Sequence, residues 1–297
     1  MTQLLEYSVV APMHNEEGNI QALYLDIKRA MEQLKQPYEI VFVNDASLDT
    51  TLPKMKEIQS GDPNFHFVDL EYNVGENWAL LAGISKARGN IIITIDGDYQ
   101  NDPAYIPRLL EELSKGYRVV SGRRSTRVGS FWSRRLPSWI ANGLIRLVSR
   151  VSVHDCGCGL KAYRREVLEG KFVPKGFMNR FSPVALGVTG QEFSEVEIVD
   201  RPRKSGDSHY GLSRVFLVLR DLWLLPFAIR GPERWLSKFR AIQTLGFVTT
   251  LSLALSRRWV LSGTTLGFAI IVCSNVAGLK QFIKAQVNPN FRIREYR

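Results

Sequence analysis

The residues best suited to chemistry are two aspartates, Asp96 and Asp98, which stand one residue apart behind an apolar run at residues 91–95. The run does not alternate between apolar and polar residues, which predicts a buried strand of a parallel sheet. Open α/β sheets bind ligands where such strands end. Two carboxylates separated by one glycine can approach a hard cation and its phosphates, and Gln100 adds an amide oxygen. The pattern predicts a metal-diphosphate site; an acidic turn before a helix starting at Pro103 is the simpler alternative.

The first hundred residues alternate between strands and helices, which predicts an α/β fold with a doubly wound, mostly parallel sheet. Strands are predicted at residues 7–12, 38–43, 65–70 and 91–95, and helices at 19–34, 50–59 and 77–86. Because parallel strands that follow one another through crossover helices end at the same edge of a sheet, we expect the loops behind all four strands to meet.

Each of these four strands is followed by a loop rich in acids and amides. The candidate donor-site residues are Pro12, Asn15 and Glu17 behind the first strand, Asp45 and Asp49 behind the second, Asn73 and Gly75 behind the third, and Asp96 behind the fourth. Each has a simpler explanation, such as a helix cap at Asn15 or a turn at Gly75. Four such loops in register predict one composite binding site.

Charge is divided unevenly along the chain. Residues 1–200 hold 23 Lys and Arg against 25 Asp and Glu, whereas residues 201–297 hold 16 against 4, so the net charge of +10 comes from the C-terminal third. A basic, apolar segment suits a membrane surface with anionic lipid better than nucleic acid, for which no known binding motif is present. The three cysteines cannot all pair, and the N-terminus shows no signal-peptide pattern, so we expect a cytosolic setting.

A basic stretch follows the predicted metal site. Residues 115–150 hold nine Lys and Arg and no acid, and His154 and Asp155 come soon after. A solvated basic face is the simplest explanation of such a run. Next to a carboxylate-metal site, however, it predicts the binding of an anionic second substrate.

The C-terminal third predicts contact with a membrane. Residues 212–240 mix Leu, Phe and Trp with Arg, which is typical of amphipathic helices in an interface. Residues 242–256 and 259–279 carry no charge and predict a two-helix membrane hairpin, of which the second helix is long enough to cross a bilayer. A buried helical pair and a contact between copies of the chain are the alternatives. The chain thus divides into a catalytic domain at 1–211, interfacial helices at 212–240, and a hairpin with a basic tail at 241–297.

Together, these motifs resemble those of the family 2 glycosyltransferases. More narrowly, they resemble the polyprenyl-phosphate branch, which includes dolichyl-phosphate mannose synthases and undecaprenyl-phosphate sugar transferases. The matching segments are P-x-x-N-E-E at 12–17, N-D-A-S-x-D-x-T at 44–51, N-x-G at 73–75 and D-x-D-x-Q at 96–100. Segments at 122–124, 155–165 and 203–210 are similar to the acceptor side of this branch. His209 replaces the usual lysine there, and Lys161 stands where arginine is common.

This resemblance implies a GT-A fold, a nucleotide-sugar donor linked to UDP or GDP, a polyprenyl-phosphate acceptor, Mg²⁺ or Mn²⁺, and inversion at the anomeric carbon. It implies that Asp98 and Gln100 hold the metal ion and that Asp96, beside them, faces the ribose. The candidate catalytic residues are Asp98, Arg123, Asp155 and Arg203, and the candidate acceptor-binding residues are Arg123, Arg124, Arg135 and Ser208. An acceptor phosphate is already ionised at neutral pH, so it needs positioning more than a strong base.

Two other functions stay open at this point. One is a peripheral glycosyltransferase that acts on a sugar hydroxyl, and the other is an inactive, nucleotide-binding membrane scaffold. A dinucleotide-binding dehydrogenase is excluded, because no G-x-G-x-x-G follows the first strand. The expected location is the cytoplasmic face of a membrane, integral through the two C-terminal helices.

Overall fold

A computed structural model describes residues 5–125, 153–155, 157–168, 186–201, 224, 227, 231–255, 259–287 and 291–297. The strands are β1 (Tyr7–Met13), β2 (Tyr38–Asn44), β3 (Phe65–Leu70), β4 (Ile91–Thr94), β5 (Val119–Arg124), β6 (Lys161–Arg164), β7 (Phe193–Ile198) and β8 (Ile293–Tyr296). The N-terminal helices are α1 (Ile20–Glu32), α2 (Thr51–Gly61), α3 (Glu76–Lys86) and α4 (Ile106–Ser114), with a 3-10 turn at Pro103–Tyr105 and a short helix at Arg165–Leu168.

The strands form one mixed sheet in the order β7-β5-β6-β4-β1-β2-β3-β8. Strand β1 pairs in parallel with both β2 and β4, β2 with β3, and β5 with β7. Strands β6 and β8 run antiparallel to their neighbours. The predicted α/β class with a mostly parallel sheet is confirmed, and the first seven predicted elements lie within two residues of their observed bounds.

Both faces of the sheet are covered, as the unbroken apolar strands predicted. Along β1, Val9 and Ala11 face a core shared with α1, α2 and α4. The intervening Val10 faces the other core, which packs against α3. Helix α3 lies very close to the sheet, because a Cβ on Gly83 would meet the side chains of Val10 and Val43 at 2.5 and 2.6 Å.

The order in which successive strands are added to the sheet reverses at β1. The crossover from β1 leads to β2 on one side, whereas β4 pairs with β1 on the other side. Such a point opens a crevice beyond the carboxyl ends of the two strands. Strand β6 lies next to β4, with Lys161 opposite Thr94, so the predicted acceptor segment is brought beside the acidic pair.

Two long helices, Pro232–Leu255 and Trp259–Val287, form what we call the C-terminal hairpin. They are antiparallel, since Gln243 contacts Cys273 at 3.0 Å and Thr250 contacts Thr265 at 3.0 Å. The first helix continues through residues 240 and 241, where the sequence predicted a boundary. Most of the predicted interfacial segment before residue 231 lies outside the described residues.

The membrane-crossing part of the prediction is not confirmed. Among the helices that the structure describes, none combines the length and the apolar character needed to cross a membrane.

The last residues of the chain return to the sheet, whereas the sequence predicted a basic tail that belongs with the hairpin. Strand β8 pairs antiparallel with the edge strand β3. Arg294 forms an ion pair with Asp69 (Nη1 to Oδ2, 3.2 Å), and Asn44 donates its side-chain amide to the same carboxylate at 2.7 Å. Asp69 is buried, so the tail supplies the cation that this carboxylate requires.

We predict that Arg294→Ala destabilises the protein by about 1–3 kcal/mol, because among the described side chains the buried Asp69 then keeps only the Asn44 amide as a partner. Thermal unfolding of the purified chain measures this. Arg292→Ala is the matched control: Arg292 lies two residues away, its side chain is 76% exposed, and its nitrogen is 3.9 Å from Glu71. Equal melting temperatures for the two variants would contradict the structural role of Arg294.

Candidate active site

A cavity of about 240 Å³ opens at the crevice between β1 and β4. It is lined by Pro12, Met13, His14, Glu16, Asp45, Glu76, Asp96, Gly97 and Asp98. Four of the predicted site residues, from three different loops, are therefore brought together around one cavity. The strand ends thus meet around one cavity, and donor binding in this cavity stays a prediction.

Acidic side chains predominate in the lining of this cavity. Burial, followed by the nearby Glu76 and Asp98, raises the pKa of Asp96 well above its ordinary value, and Lys161 and Arg124 offset this only in part. Like charges held this close favour either a proton or a bound cation.

The acidic pair fits a divalent ion that also binds phosphate. Within the described part of the chain, no group of three or more His, Cys, Asp or Glu side chains forms a metal site. Magnesium in nucleotide sites is held by one or two carboxylates together with substrate phosphate oxygens. Asp96 and Asp98 match that arrangement.

Two glycines allow the acidic pair to lie where it does. A Cβ on Gly97 would collide with the carbonyl oxygen of Pro12 and approach the Met13 sulfur at 2.6 Å. A Cβ on Gly159 would overlap the carboxylate of Asp96. The carbonyl of Gly159 accepts a hydrogen bond from the Thr94 hydroxyl at 2.8 Å, which fixes the glycine behind the aspartate.

Asp45 connects the second and third loops. Its buried carboxylate accepts hydrogen bonds from the backbone N–H groups of Val74 (2.7 Å) and Gly75 (2.9 Å). Gly75 has φ +86°, which favours glycine. The Asn73 amide donates to the Asp45 carbonyl at 3.3 Å. Three of the predicted donor-site residues therefore form one unit in which Asp45 sets the shape of the third loop.

The first and second loops are joined in a similar way. The side-chain oxygen of Asn15 accepts from the backbone of Leu48 at 2.8 Å, and the Glu17 N–H donates to Asp49 at 3.1 Å. Hydrogen bonds from Thr50 hold the pKa of Glu17 below its ordinary value. Asn15, Glu17 and Asp49 thus connect the first two loops. Their direct contact with a donor remains a prediction.

On the acceptor side, Arg124 and Asp155 are partners. Arg124 donates to both carboxylate oxygens of Asp155, through Nε at 2.6 Å and Nη2 at 2.9 Å. Arg124 also lies 3.7 Å from Asp200. Burial alone would lower the pKa of Arg124, but the hydrogen bonds to Asp155 raise it above its ordinary value. This geometry suits Asp155 to organising a cation rather than to acting as a base.

Two further predicted residues, Arg123 and Gln100, are not among those that line the cavity. Arg123 is at the surface of β5, where its guanidinium is 3.3 Å from Glu197. The backbone N–H of Gln100 donates to Asp98 at 3.2 Å. Arg135, Arg203 and Ser208 lie outside the described residues, so their roles remain predictions.

Several cavity residues were not predicted from the sequence as site residues, above all Glu76 and His14. Glu76 follows Asn73-x-Gly75 directly, but an acid in the first turn of a helix is common for reasons of helix stability alone. His14 lies between Pro12 and Asn15 and could have been found from that position.

The chain belongs to glycosyl transferase family 2, whose family model matches residues 8–171, more than half of the sequence. Dodecaprenyl-phosphate galacturonate synthase of Rhizobium johnstonii is 36% identical over 236 residues, which cover 78% of this chain and 70% of that protein. Undecaprenyl-phosphate 4-deoxy-4-formamido-L-arabinose transferase of Pseudomonas aeruginosa is 32% identical over 271 residues, covering 89% and 79%. The resemblance to the polyprenyl-phosphate branch is thus confirmed, and the protein is a glycosyltransferase.

Solved structures confirm the fold. Glucosyl-3-phosphoglycerate synthase of Mycobacterium tuberculosis, crystallised with Mn²⁺, UDP-glucose and phosphoglyceric acid, superposes with a TM-score of 0.56 at 20% identity. The superposition covers 75% of this chain and 80% of that one. The likeness matches the GT-A expectation for the sheet and its helices.

We predict that Gly159→Ala weakens binding of a nucleoside diphosphate in the presence of Mn²⁺ by about 10- to 100-fold, because the new methyl group displaces the Asp96 carboxylate. Isothermal calorimetry with UDP and GDP measures this. Gly18→Ala is the control, since a Cβ there meets nothing within 4 Å. Unchanged affinity in Gly159→Ala would show that Asp96 does not contribute to binding of the nucleoside diphosphate.

Proposed function

We propose that this protein transfers a sugar from a UDP- or GDP-linked donor to a polyprenyl phosphate, with Mg²⁺ or Mn²⁺ as cofactor. One observation carries the proposal: the pair Asp96 and Asp98 lines a cavity at the strand switch point of a family 2 glycosyltransferase. The acceptor class is supported by the two relatives, whose names specify dodecaprenyl and undecaprenyl phosphate.

The loops that Asp45 organises would bind the nucleotide-sugar donor. The nucleotide would lie along the loops behind β1 and β2, beside Pro12 and Asp45, with its diphosphate directed to Asp96 and Asp98. Asp98, with Asp96 and Gln100 near it, would hold the metal ion. When bound, a divalent ion supplies Lewis-acid stabilisation of the departing diphosphate.

The acceptor half requires one bond to form and one to break. A phosphate oxygen of the lipid attacks the anomeric carbon, and the bond from that carbon to the nucleoside diphosphate breaks, with its electron pair leaving on the diphosphate. The anomeric configuration inverts. Arg123, Arg124, Arg135 and Ser208 would position the lipid phosphate, and Arg203 would add positive charge to the leaving group. Asp155 would orient Arg124, consistent with their bidentate contact.

A transfer assay tests this proposal. Purified protein is incubated with Mn²⁺, undecaprenyl phosphate and a panel of radiolabelled UDP- and GDP-sugars, and label is followed into the organic phase. We expect transfer from one donor. Asp98→Ala and EDTA should each reduce it by about 10²–10³-fold, because charge stabilisation of the diphosphate is lost. Glu111→Ala, an acid on the exposed face of α4, is the control.

Each negative result of this assay identifies a different function. Transfer to a soluble glycan but not to the lipid phosphate would favour a hydroxyl acceptor. Intact nucleotide binding without any transfer, in the wild type as in Asp98→Ala, would favour an inactive scaffold.

We also propose that the protein works at the cytoplasmic face of a membrane and that the C-terminal hairpin contacts the lipid. Large apolar side chains are exposed along both of its helices: Leu245, Phe247, Val248, Leu251 and Leu255 on the first, and Leu266, Phe268 and Ile270 on the second. Complete removal of an apolar side chain of this size from water is worth about 1.5–3 kcal/mol, and a partly exposed one gains a share of that. The basic C-terminal third would add attraction to anionic headgroups.

We predict that the double variant Leu251→Glu/Leu255→Glu loses most of its binding to phosphatidylglycerol-containing vesicles in a flotation assay, because two carboxylates replace exposed apolar side chains. Leu25→Glu, on the exposed side of α1, is the control and should float like the wild type. If flotation persists but the double variant changes from an oligomer to a monomer, the hairpin is instead a contact between copies of the chain.

A further inference from the structure

The turn that carries the metal-site residues is held from outside by two other parts of the protein. Residues 99–102 contact α1 on one side and, on the other, Asp200 and Arg201, which lie two and three residues beyond the end of β7. We call residues 98–102 the Asp98 turn.

Tyr99 gives this turn an unusual backbone. Its φ is +62°, a left-handed conformation that a bulky side chain disfavours and that surrounding contacts must maintain. Its hydroxyl donates to Asp26 of α1 at 2.7 Å, and the Arg201 guanidinium stacks 4.4 Å from the centre of its ring. The ring is therefore fixed at its edge and on its face.

Arg201 joins three parts of this arrangement. Its Nη1 donates to Asp26 at 2.8 Å, its Nη2 donates to Asp102 at 2.7 Å, and its backbone N–H donates to the Gln100 carbonyl at 2.7 Å. Burial of Asp26 would raise its pKa, but the hydrogen bonds from Tyr99 and Arg201 hold it below its ordinary value. Asp26 therefore stays ionised as the fixed anchor of the cluster.

Asp200, the residue before Arg201, holds the same turn at a second point. The Asn101 side-chain amide donates to Asp200 at 3.0 Å, and Asp200 in turn lies 3.7 Å from the guanidinium of Arg124. Adjacent residues behind β7 thus hold Gln100, Asn101 and Asp102. The Asp98 turn is connected through Arg124 to the acceptor-side pair with Asp155.

We propose that Arg201 is a positioning residue that fixes the Asp98 turn, so that Asp98 and Gln100 present their oxygens to the metal-nucleotide in one geometry. The inference rests on the proposed function, since it takes Asp98 and Gln100 as the metal-holding residues. Preorganised ligands bind more tightly, because they lose less freedom when the ion and its phosphates arrive. Arg201 touches no reacting atom in this role.

The chain offers a matched control for this cation. Arg29 also pairs with Asp26, through Oδ1 at 3.2 Å, but it sits on α1, is 73% exposed, and has no contact with the turn among the described residues. Arg29→Ala and Arg201→Ala therefore remove a cation from the same carboxylate, and only the second releases the turn. Tyr99→Phe removes the hydroxyl contact to Asp26 and keeps the stacked ring. Arg201→Lys keeps the positive charge but loses the two guanidinium nitrogens that contact Asp26 and Asp102 together.

Two measurements test the proposal. The first is hydrogen–deuterium exchange of peptides covering residues 96–105 in the metal-free full-length chain. The second is Mn²⁺ titration, by calorimetry in the presence of UDP and by activation of transfer. We expect Arg201→Ala to increase exchange in these peptides and to raise the half-saturating Mn²⁺ concentration about tenfold or more. Tyr99→Phe and Arg201→Lys should give smaller shifts, and Arg29→Ala none.

A purely structural role for Arg201 predicts a different result. In that case Arg201→Ala lowers the melting temperature but leaves the Mn²⁺ concentration dependence and the exchange of residues 96–105 like those of Arg29→Ala, which would overturn the proposal. If Arg201→Ala does not fold, Arg201→Lys and Tyr99→Phe decide by the same two readouts. A wild type that transfers no sugar would refute the proposed function. Hydrogen–deuterium exchange and Mn²⁺ calorimetry do not depend on sugar transfer, so they would still test the role of Arg201.

Discussion

The accumulation of carboxylates at the end of β4 is the constraint on which the rest of the site depends. Asp96 lies beside Asp98 and Glu76, and its raised pKa records the cost of its burial first and of these two neighbouring acids second. Lys161 and Arg124 offset that cost only in part. Such an arrangement persists only where the surrounding structure holds it, and it makes a divalent ion with its phosphates a favourable ligand.

The supports of this charge cluster come from distant parts of the chain. Gly159 leaves room for the Asp96 carboxylate, Asp45 shapes the third loop through two backbone hydrogen bonds, and Arg201 holds the turn behind Asp98. Even the tail takes part, because Arg294 pairs with Asp69, and Asp69 accepts from Asn44 beside Asp45. The geometry of the site therefore depends on contacts from across the sheet, including its edge strand β8.

Much of the fold and part of the site could be predicted from the chain. Strands β1 to β4 and helices α1 to α3 were predicted closely, because their apolar residues are continuous or recur at helical spacing. The loops behind β1 to β4 were recognised because acids and amides stood where buried strands end. Prediction was weaker where a residue has a common local explanation, as for Glu76 at the start of a helix.

The class of fold, the loops around the cavity and the family follow from the amino-acid sequence alone, since these depend on local periodicity and on motifs that short segments contain. Which charged side chains pair is visible only in the folded chain: Arg124 with Asp155, Arg201 with Asp26, and Arg294 with Asp69. Those partners are separated by tens to hundreds of residues, and no local pattern marks them. Their proximity follows from the order of strands in the sheet, which brings β5, β7 and β8 beside segments far away in the chain.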